Sequence, residues 1–240
     1  MAGKLAYKRI LLKLSGEVLE GKKGSGIDFK VLDDLCREVA GVRKMGVQIA
    51  LVIGGGNFWR YRDFADSGID RVHSDYMGMM ATIMNSLAMR NNFTKYKVDA
   101  RPMSAFSMPV VVEEYLRDRA LSYMEKGKIV ICAGGTGNPF FTTDTAAALR
   151  ALELECDVVL KATKVDYVYD KDPVKYKNAK SFRTLTYAEV LARKLEVMDL
   201  SAVSLCGDNK MPVIVFNLTK KGNIARVVKG EKIGTLISAK

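Results

Sequence analysis

Two lysines and two carboxylates set the chemistry open to this 240-residue chain: Lys13, Lys161, Asp144 and Asp199. Lys13 ends the apolar run Arg9-Ile10-Leu11-Leu12 and Lys161 lies within Val158-Val159-Leu160-Lys161-Ala162, so each sits in a predicted strand. An ammonium buried alone is costly, and each lysine therefore requires an anion or a carboxylate partner unless it faces solvent by strand alternation. Fixed positive charge around a moving group is what phosphoryl transfer needs, together with in-line placement of donor and acceptor. Asp144 and Asp199 are candidates to orient lysine or Mg²⁺, and both also stand where they could cap a helix.

Three glycine-bearing segments supply the backbone for anion binding. Lys13-Leu14-Ser15-Gly16 follows the first strand, and Gly54-Gly55-Gly56-Asn57 follows Val47 to Ile53. Gly134-Gly135-Thr136-Gly137-Asn138-Pro139-Phe140-Phe141-Thr142-Thr143-Asp144 follows Ile129 to Ala133 and leads into the helix-favouring Ala146 to Leu154. Glycine permits close backbone approach, free N–H groups at a helix start attract anions, and Thr and Asn side chains add directional hydrogen bonds. Three such loops at strand ends point to one crevice along one sheet edge. Arg60 and Asp75, downstream of the triple glycine, suit a phosphate and sugar hydroxyls respectively. His73 is the only histidine, which leaves a histidine-based triad without support, and the G-x-x-x-x-G-K-[ST] phosphate loop is absent.

The elements that must position these residues alternate. Asp28 is a plausible cap for a helix carrying Val31, Leu32, Leu35, Val39 and Val42 and ended by Gly46. A Met-rich helix from Asp75 to Asn91, a strand near Val98, a helix from Glu113 to Lys126 and the strand Ile129 to Ala133 follow. Beyond Val158 to Ala162 come the turn-prone Asp170 to Pro173, helices near Tyr187 to Leu195 and Ser201 to Asp208, and the strand Val213 to Asn217. The pattern is α/β, with a right-handed parallel connection between the first two strands. Met77, Met80, Met84 and Leu87 share a helical stripe, which predicts core or subunit-interface packing.

Composition narrows the class. No apolar run approaches the length needed to span a bilayer and the start lacks a signal-peptide core, so a cytoplasmic protein without membrane contact is expected. Cys36, Cys132, Cys156 and Cys206 are scattered and predict reduced core thiols rather than a metal site. A net charge of +11, from 38 basic and 27 acidic residues, favours anionic partners. Nucleotides satisfy it as well as nucleic acid does. The basic stretch Lys171 to Lys180 comes with no nucleic-acid motif, so it is expected to be solvated surface.

Taken together, Lys13 to Gly16, Gly54 to Asn57 with Arg60, Asp75-Tyr76-Met77-Gly78-Met79, Thr136 to Asp144, Lys161-Ala162-Thr163-Lys164-Val165-Asp166, Asp172-Pro173 and Met198-Asp199-Leu200 resemble the bacterial uridylate (UMP) kinases of the amino acid kinase superfamily. The resemblance covers nearly the whole chain. It implies a three-layer α/β/α sandwich around a mostly parallel twisted sheet, with an N-terminal UMP-binding part over about residues 1–155 and a C-terminal ATP-binding part over about 156–240. It also implies a homohexamer and Mg²⁺-dependent transfer of the ATP γ-phosphate to UMP.

By that resemblance Lys13, Leu14, Ser15, Gly16, Gly56, Arg60, Thr163, Tyr169 and Asp172 fall where the family binds ATP. Gly55, Asp75, Thr136, Gly137, Asn138, Pro139, Phe140, Phe141, Thr142 and Thr143 fall where it binds UMP, and Lys13, Asp144, Lys161 and Asp199 are the expected catalytic set. GTP activation and UTP inhibition are common in the family, and Gly21 to Gly26, Arg90, Asn91, Arg101 and Lys128 match its effector positions. Asn91 and Lys128 replace a common aspartate and arginine, which predicts weakened or altered GTP activation because Asn lacks the charge and paired acceptors of Asp. Tyr61 and Tyr167 stand where the family often has glycine. Family members that act on a carboxylate or carbamate lack the UMP-type loop seen at Thr136 to Asp144, and retention of Lys13, Asp144 and Asp199 argues against a binding protein that has lost turnover.

Overall fold

A computed structural model describes residues 5–239. Eleven strands and eight α-helices alternate among them. The first half holds β1 (Arg9–Leu14), α1 (Phe29–Lys44), β2 (Gln48–Ile53), α2 (Tyr61–Phe64), α3 (Arg71–Phe93), β3 (Ala100–Ser104), β4 (Glu113–Glu114), α4 (Arg117–Glu125), β5 (Ile129–Ala133) and α5 (Thr143–Glu153). The second half holds β6 (Val158–Thr163), β7 (Val168–Tyr169), β8 (Ser181–Phe182), β9 (Thr184–Thr186), α6 (Tyr187–Ala192), α7 (Leu200–Asp208), β10 (Val213–Asn217), α8 (Asn223–Val228) and β11 (Thr235–Ser238).

One sheet runs in the order β4-β3-β5-β2-β1-β6-β10-β11-β9, and β7 pairs with β8 separately. Every pairing in the large sheet is parallel except β10 with β11. Strand alternation sorts the core into two faces. Ile10, Leu12, Leu14, Ile49, Leu51 and Ile53 pack with α1, α8 and the end of α3, whereas Leu11, Val52, Val130, Val159 and Val215 pack with α4, α5 and α7. The expected α/β/α layering follows from these two apolar faces, each of which must be covered by helices.

Local chemistry explains the boundaries. Asp28 caps α1 by accepting from Lys30 and Val31 N–H, and Gly46 follows the helix end with φ +95°. The helix expected from Glu113 to Lys126 is corrected: Glu113 and Glu114 pair in parallel with Met103 and Ser104, so helix α4 starts only at Arg117. The strand expected near Val98 begins at Ala100, because Lys97 at φ +56° first turns the chain out of α3. Of the two alternatives for the Met stripe, core packing does not hold and the subunit interface stays open. Met77, Met80 and Met84 are about half exposed and Leu87 only packs against a small cluster, whereas Met79 and Met89 enter the interior. All four cysteines are buried and unpaired, as expected. Among the described residues no helix is long and apolar enough to cross a membrane.

Candidate active site

The three glycine segments leave the C-terminal ends of β1, β2 and β5, which are neighbours in the sheet. Their backbones touch. A Cβ on Gly16 would lie 2.4 Å from Gly54 O and 2.8 Å from Gly56 N, and one on Gly54 would lie 3.4 Å from Thr143 Oγ1. A Cβ on Gly55 would meet Gly78 O of α3 at 2.5 Å. Gly16 and Gly54 to Gly56 serve close approach, whereas Gly134, Gly135 and Gly137 take positive φ (+76°, +59° and +82°), and the three loops adjoin at one sheet edge.

Lys13 and Lys161 are register partners across β1 and β6, so their side chains leave the same face of the sheet side by side. Asp144, in the first turn of α5, receives both. Lys161 Nζ donates to Asp144 Oδ2 at 2.5 Å and also to Val197 O, while Lys13 Nζ stands 2.8 Å from Oδ1. The two oxygens of Asp144 thus each face one ammonium. All three side chains are only 12–14% exposed. Burial pushes the Asp144 carboxyl up, but Lys13 and Lys161 outweigh it and the group lies below its ordinary value. Burial lowers the Lys161 ammonium; Asp144 opposes that shift and Lys13 adds to it. Two ammoniums thus flank one carboxylate, with the charge of Asp199 also acting on Lys161.

Helix capping is assigned differently from the sequence expectation. Thr142, not Asp144, caps α5, accepting from Asp144 and Thr145 N–H, which frees the Asp144 carboxylate for the lysines. Asp199 does cap α7, accepting from Ala202 N–H, and it also receives the hydroxyls of Thr142 and Thr145 (2.8 Å for the latter). Asp199 therefore holds the α5 start that presents Asp144, and its charge also acts across space on Lys161, favouring the ammonium.

The loop from Thr136 to Thr143 is held by its own short bonds and by Asp75. Thr136 Oγ1 accepts from Asn138 N–H at 3.2 Å and Gly137 N–H donates to Gly134 O at 3.0 Å. Phe140 adopts φ +69°, uncommon for a bulky residue, and its N–H donates to Asp75 Oδ2 at 2.7 Å. Arg71 Nε contacts both oxygens of the same carboxylate at 2.9 Å. Phe140 and Phe141 are exposed at this loop, and Pro139 precedes them.

Arg60 is spent on its neighbours: Nε donates to Gly56 O at 2.6 Å, and its guanidinium pairs with Glu17 at 3.2 Å and Glu20 at 3.3 Å. Leu14 is buried and Ser15 precedes a short 3-10 turn, so both present backbone to the crevice. A cleft of about 530 Å³ opens beyond Lys161, lined by Thr163, Tyr169, Asp172, Lys194 and Val197. Its size fits a nucleotide-sized ligand. Tyr167 lies edge-on to Tyr169 at 6.4 Å beneath the Arg183 guanidinium, and Tyr61 lies under Arg71 at 4.7 Å, so both unusual tyrosines are stacked in place.

The expected effector residues are not gathered at one point. Arg90 and Arg101 line a cavity of about 470 Å³. Lys128 lines another of about 260 Å³, and Asp99 joins it to Arg101 at 2.9 and 3.0 Å. Asn91 is exposed on the last turns of α3. Gly21 (φ +56°) lines a separate cavity of about 510 Å³ beside Glu17 and Thr163, and Gly26 (φ +70°) meets the triple-glycine loop.

Sequence reasoning missed the inward stripe of α3. Trp59 Nε1 donates to Ser74 Oγ at 2.8 Å, Gly78 admits Gly55, Gly134 N–H donates to Thr82 Oγ1 at 2.8 Å, and Asn85 Nδ2 donates to Gly54 O at 2.9 Å. The signal was small and polar residues at spacings of 4, 4 and 3 in an otherwise apolar helix, opposite to the conspicuous methionines. Among the described residues no group of three or more His, Cys, Asp or Glu gathers that could hold a metal ion.

The model of the amino acid kinase family matches residues 8–217. A UMP kinase from Bacillus anthracis shares 38% identity over 98% of this chain and 97% of its own, with a TM-score of 0.95. A UMP kinase from Ureaplasma parvum shares 36% over 96% of this chain and 98% of its own, with a TM-score of 0.91. A uridylate kinase from Archaeoglobus fulgidus shares 27% over 95% of this chain and 99% of its own, with a TM-score of 0.73. A shared crevice at adjoining strand ends, a lysine pair held by one aspartate and this similarity along the full fold lead to one assignment: the chain belongs to the amino acid kinase family, on the branch of the UMP kinases.

Proposed function

We propose that the protein is a nucleoside monophosphate kinase that transfers the γ-phosphoryl of ATP reversibly to UMP, giving UDP and ADP. A phosphate oxygen of UMP forms the new P–O bond as the bond between the γ-phosphorus and the bridging oxygen breaks, and ADP leaves. The Lys13–Asp144–Lys161 cluster carries the proposal, because the positive charge of its two ammoniums lies between the glycine loops and the cleft at Tyr169. Acting in a buried setting, that charge opposes the negative charge that spreads over the transferring group.

In this scheme the segment up to about residue 155 holds UMP, using Gly55, Asp75 and Thr136 to Thr143. The segment from about 156 holds ATP at Thr163, Tyr169 and Asp172, with Lys13 to Gly16 and Gly56 on its phosphates and Arg60 exchanging Glu17 and Glu20 for them. Asp75 and Phe140 N–H fix the UMP loop to α3, and Asp199 fixes the α5 start that presents Asp144. The donor set suits Mg²⁺ brought in on ATP phosphates rather than caged by protein: both Asp144 oxygens face lysines, and Asp199 is committed to two hydroxyls and an amide. Mg²⁺ bound in that way would neutralise charge on the β- and γ-phosphates.

The half-exposed Met77, Met80 and Met84 support self-association, with a homohexamer as the proposed assembly. A cytoplasmic location belongs to the same proposal, since both nucleotides are cytoplasmic metabolites. GTP as activator and UTP as inhibitor are proposed with a weakened GTP response, in line with Arg101 and Lys128 sharing Asp99. The deciding assay is purified protein with Mg-ATP and each nucleoside monophosphate, scored for ADP. Turnover with UMP alone is expected; tight binding of UMP and ATP without turnover would defeat the proposal, and a strong GTP activation would defeat its regulatory part.

A further inference from the structure

Asn57 and Asn85 are 2% and 0% exposed, and their side-chain amides meet head to head. Asn57 Nδ2 donates to Asn85 Oδ1 at 2.9 Å and Asn85 Nδ2 donates to Asn57 Oδ1 at 2.7 Å, which closes a reciprocal ring. The remaining N–H of each amide points outward. Asn57 gives its own to Gly26 O at 2.8 Å, and Asn85 gives its own to Gly54 O at 2.9 Å. Gly26 N–H returns to Asn57 O at 2.7 Å. Both donors and the acceptor of each amide are therefore satisfied, a condition that a buried polar pair must meet to be tolerated at all.

The ring lies where three segments meet: α3, the triple-glycine loop and the segment ending at Gly26. A glycine loop has no side chains of its own to fix its height, so its N–H groups aim only as well as its carbonyls are held. Gly54 is held twice, by its N–H on Leu14 O at 3.0 Å and by Asn85 on its carbonyl. Resting on the phosphotransfer function proposed above, we propose that Asn57 and Asn85 are positioning residues for the reaction. They set the Gly54–Gly56 backbone against α3 so that its N–H groups meet the phosphates in line, while neither side chain touches substrate. An apolar side chain of the same size fills the space but leaves Gly54 O unheld.

The test uses Asn85→Leu, Asn57→Leu and the double variant, which keep the branched side-chain shape, with somewhat larger end groups, and add no charge. Asn85→Leu is expected to lower kcat for ADP formation from Mg-ATP and UMP about a hundredfold, the scale of a small misplacement of reacting groups, with KM for either nucleotide changed by less than about threefold. Each single variant unfolds at a lower temperature, because a buried amide loses its partner. The double variant regains only the part of that stability lost between the two amides, because the Gly26 and Gly54 carbonyls still lack their donors, and its kcat stays low because Gly54 is unheld. Recovery of kcat along with stability in the double variant would overturn the proposal, since a purely structural pair recovers both. Hydrogen exchange of the Gly54–Asn57 segment gives a readout that needs no substrate: it quickens at least about tenfold in Asn85→Leu and in the double variant. Unchanged exchange overturns the positioning role even where UMP is not turned over, and wild type that fails on UMP defeats only the proposed function. If Asn85→Leu alone does not fold, the double variant decides by the same kcat and exchange criteria.

Discussion

Asp144→Asn removes the one carboxylate between Lys13 and Lys161 and keeps its shape. In the native protein the three groups are 12–14% exposed and the contacts are 2.8 and 2.5 Å. Without the carboxylate, two ammoniums share a desolvated site with only the neutral Asn amide oxygen and the Val197 carbonyl as acceptors, and no negative charge between them. Breaking a buried ion pair by removing one partner costs about 3–5 kcal/mol. At about 2–4 °C per kcal/mol for a chain of this size, the midpoint of thermal unfolding should fall by roughly 6–20 °C near neutral pH.

The pH dependence gives a second handle on the same change. Burial already holds Lys161 below its ordinary 10.5, and loss of Asp144 removes the influence that opposed this. An ammonium whose folded pKa is depressed binds fewer protons folded than unfolded, so stability rises with pH between the folded value and 10.5. The variant should therefore regain stability as pH rises toward 10.5, whereas the native protein changes less over that range. Asp144 itself lies below 3.8, so its contribution is present above that value and disappears as pH falls through the folded pKa, where the native protein converges on the variant. Urea or thermal unfolding of both proteins across this range is the assay. A variant within about 1 kcal/mol of the native protein at neutral pH, with a difference that stays flat to alkaline pH, would refute the buried-triad account.

Lys13→Ala should fold and bind UMP but lose about a hundred- to a thousandfold in kcat, the scale of one preorganised charge at a transition state; near-normal turnover with UMP would contradict that role. Gly16→Ala places a Cβ 2.4 Å from Gly54 O, backbone against backbone. A loss of about 2 kcal/mol or more with reduced kcat is expected, and an unperturbed enzyme would show that the two loops are not in contact as described. Burial pushes the thiols of Cys36 and Cys132 up to about 12 and that of Cys206 to about 11, with Cys156 raised as well. A thiol-reactive chromophore at mildly alkaline pH should therefore label none of the four until denaturant is added, and rapid labelling of the native protein would count against it.

Local sequence determined the pieces whose cause is local. Apolar β-branched runs gave β2, β5, β6 and β10, Asp28 and Gly46 bounded α1, and glycine clusters at three strand ends located the crevice, because propensity, capping and chirality act over a few residues. The family resemblance read from the ordered motifs also agrees with the similarity along the whole fold. The two-residue strands β4, β7 and β8 were not legible, since a pair so short is made by its partner strand rather than by its own pattern. Partner choice needed tertiary structure as well. Lys13 and Lys161, 148 positions apart, become neighbours only through the β1–β6 register, and Asp144 reaches both because Thr142 takes over the cap. The stripe Ser74, Gly78, Thr82 and Asn85 looked like interruptions in a methionine helix until the fold turned it toward the glycine loops. Sequence alone could show which groups needed a partner, since burying a charge or an amide unpaired is too costly. Only the packing of distant segments decided which partner each one received.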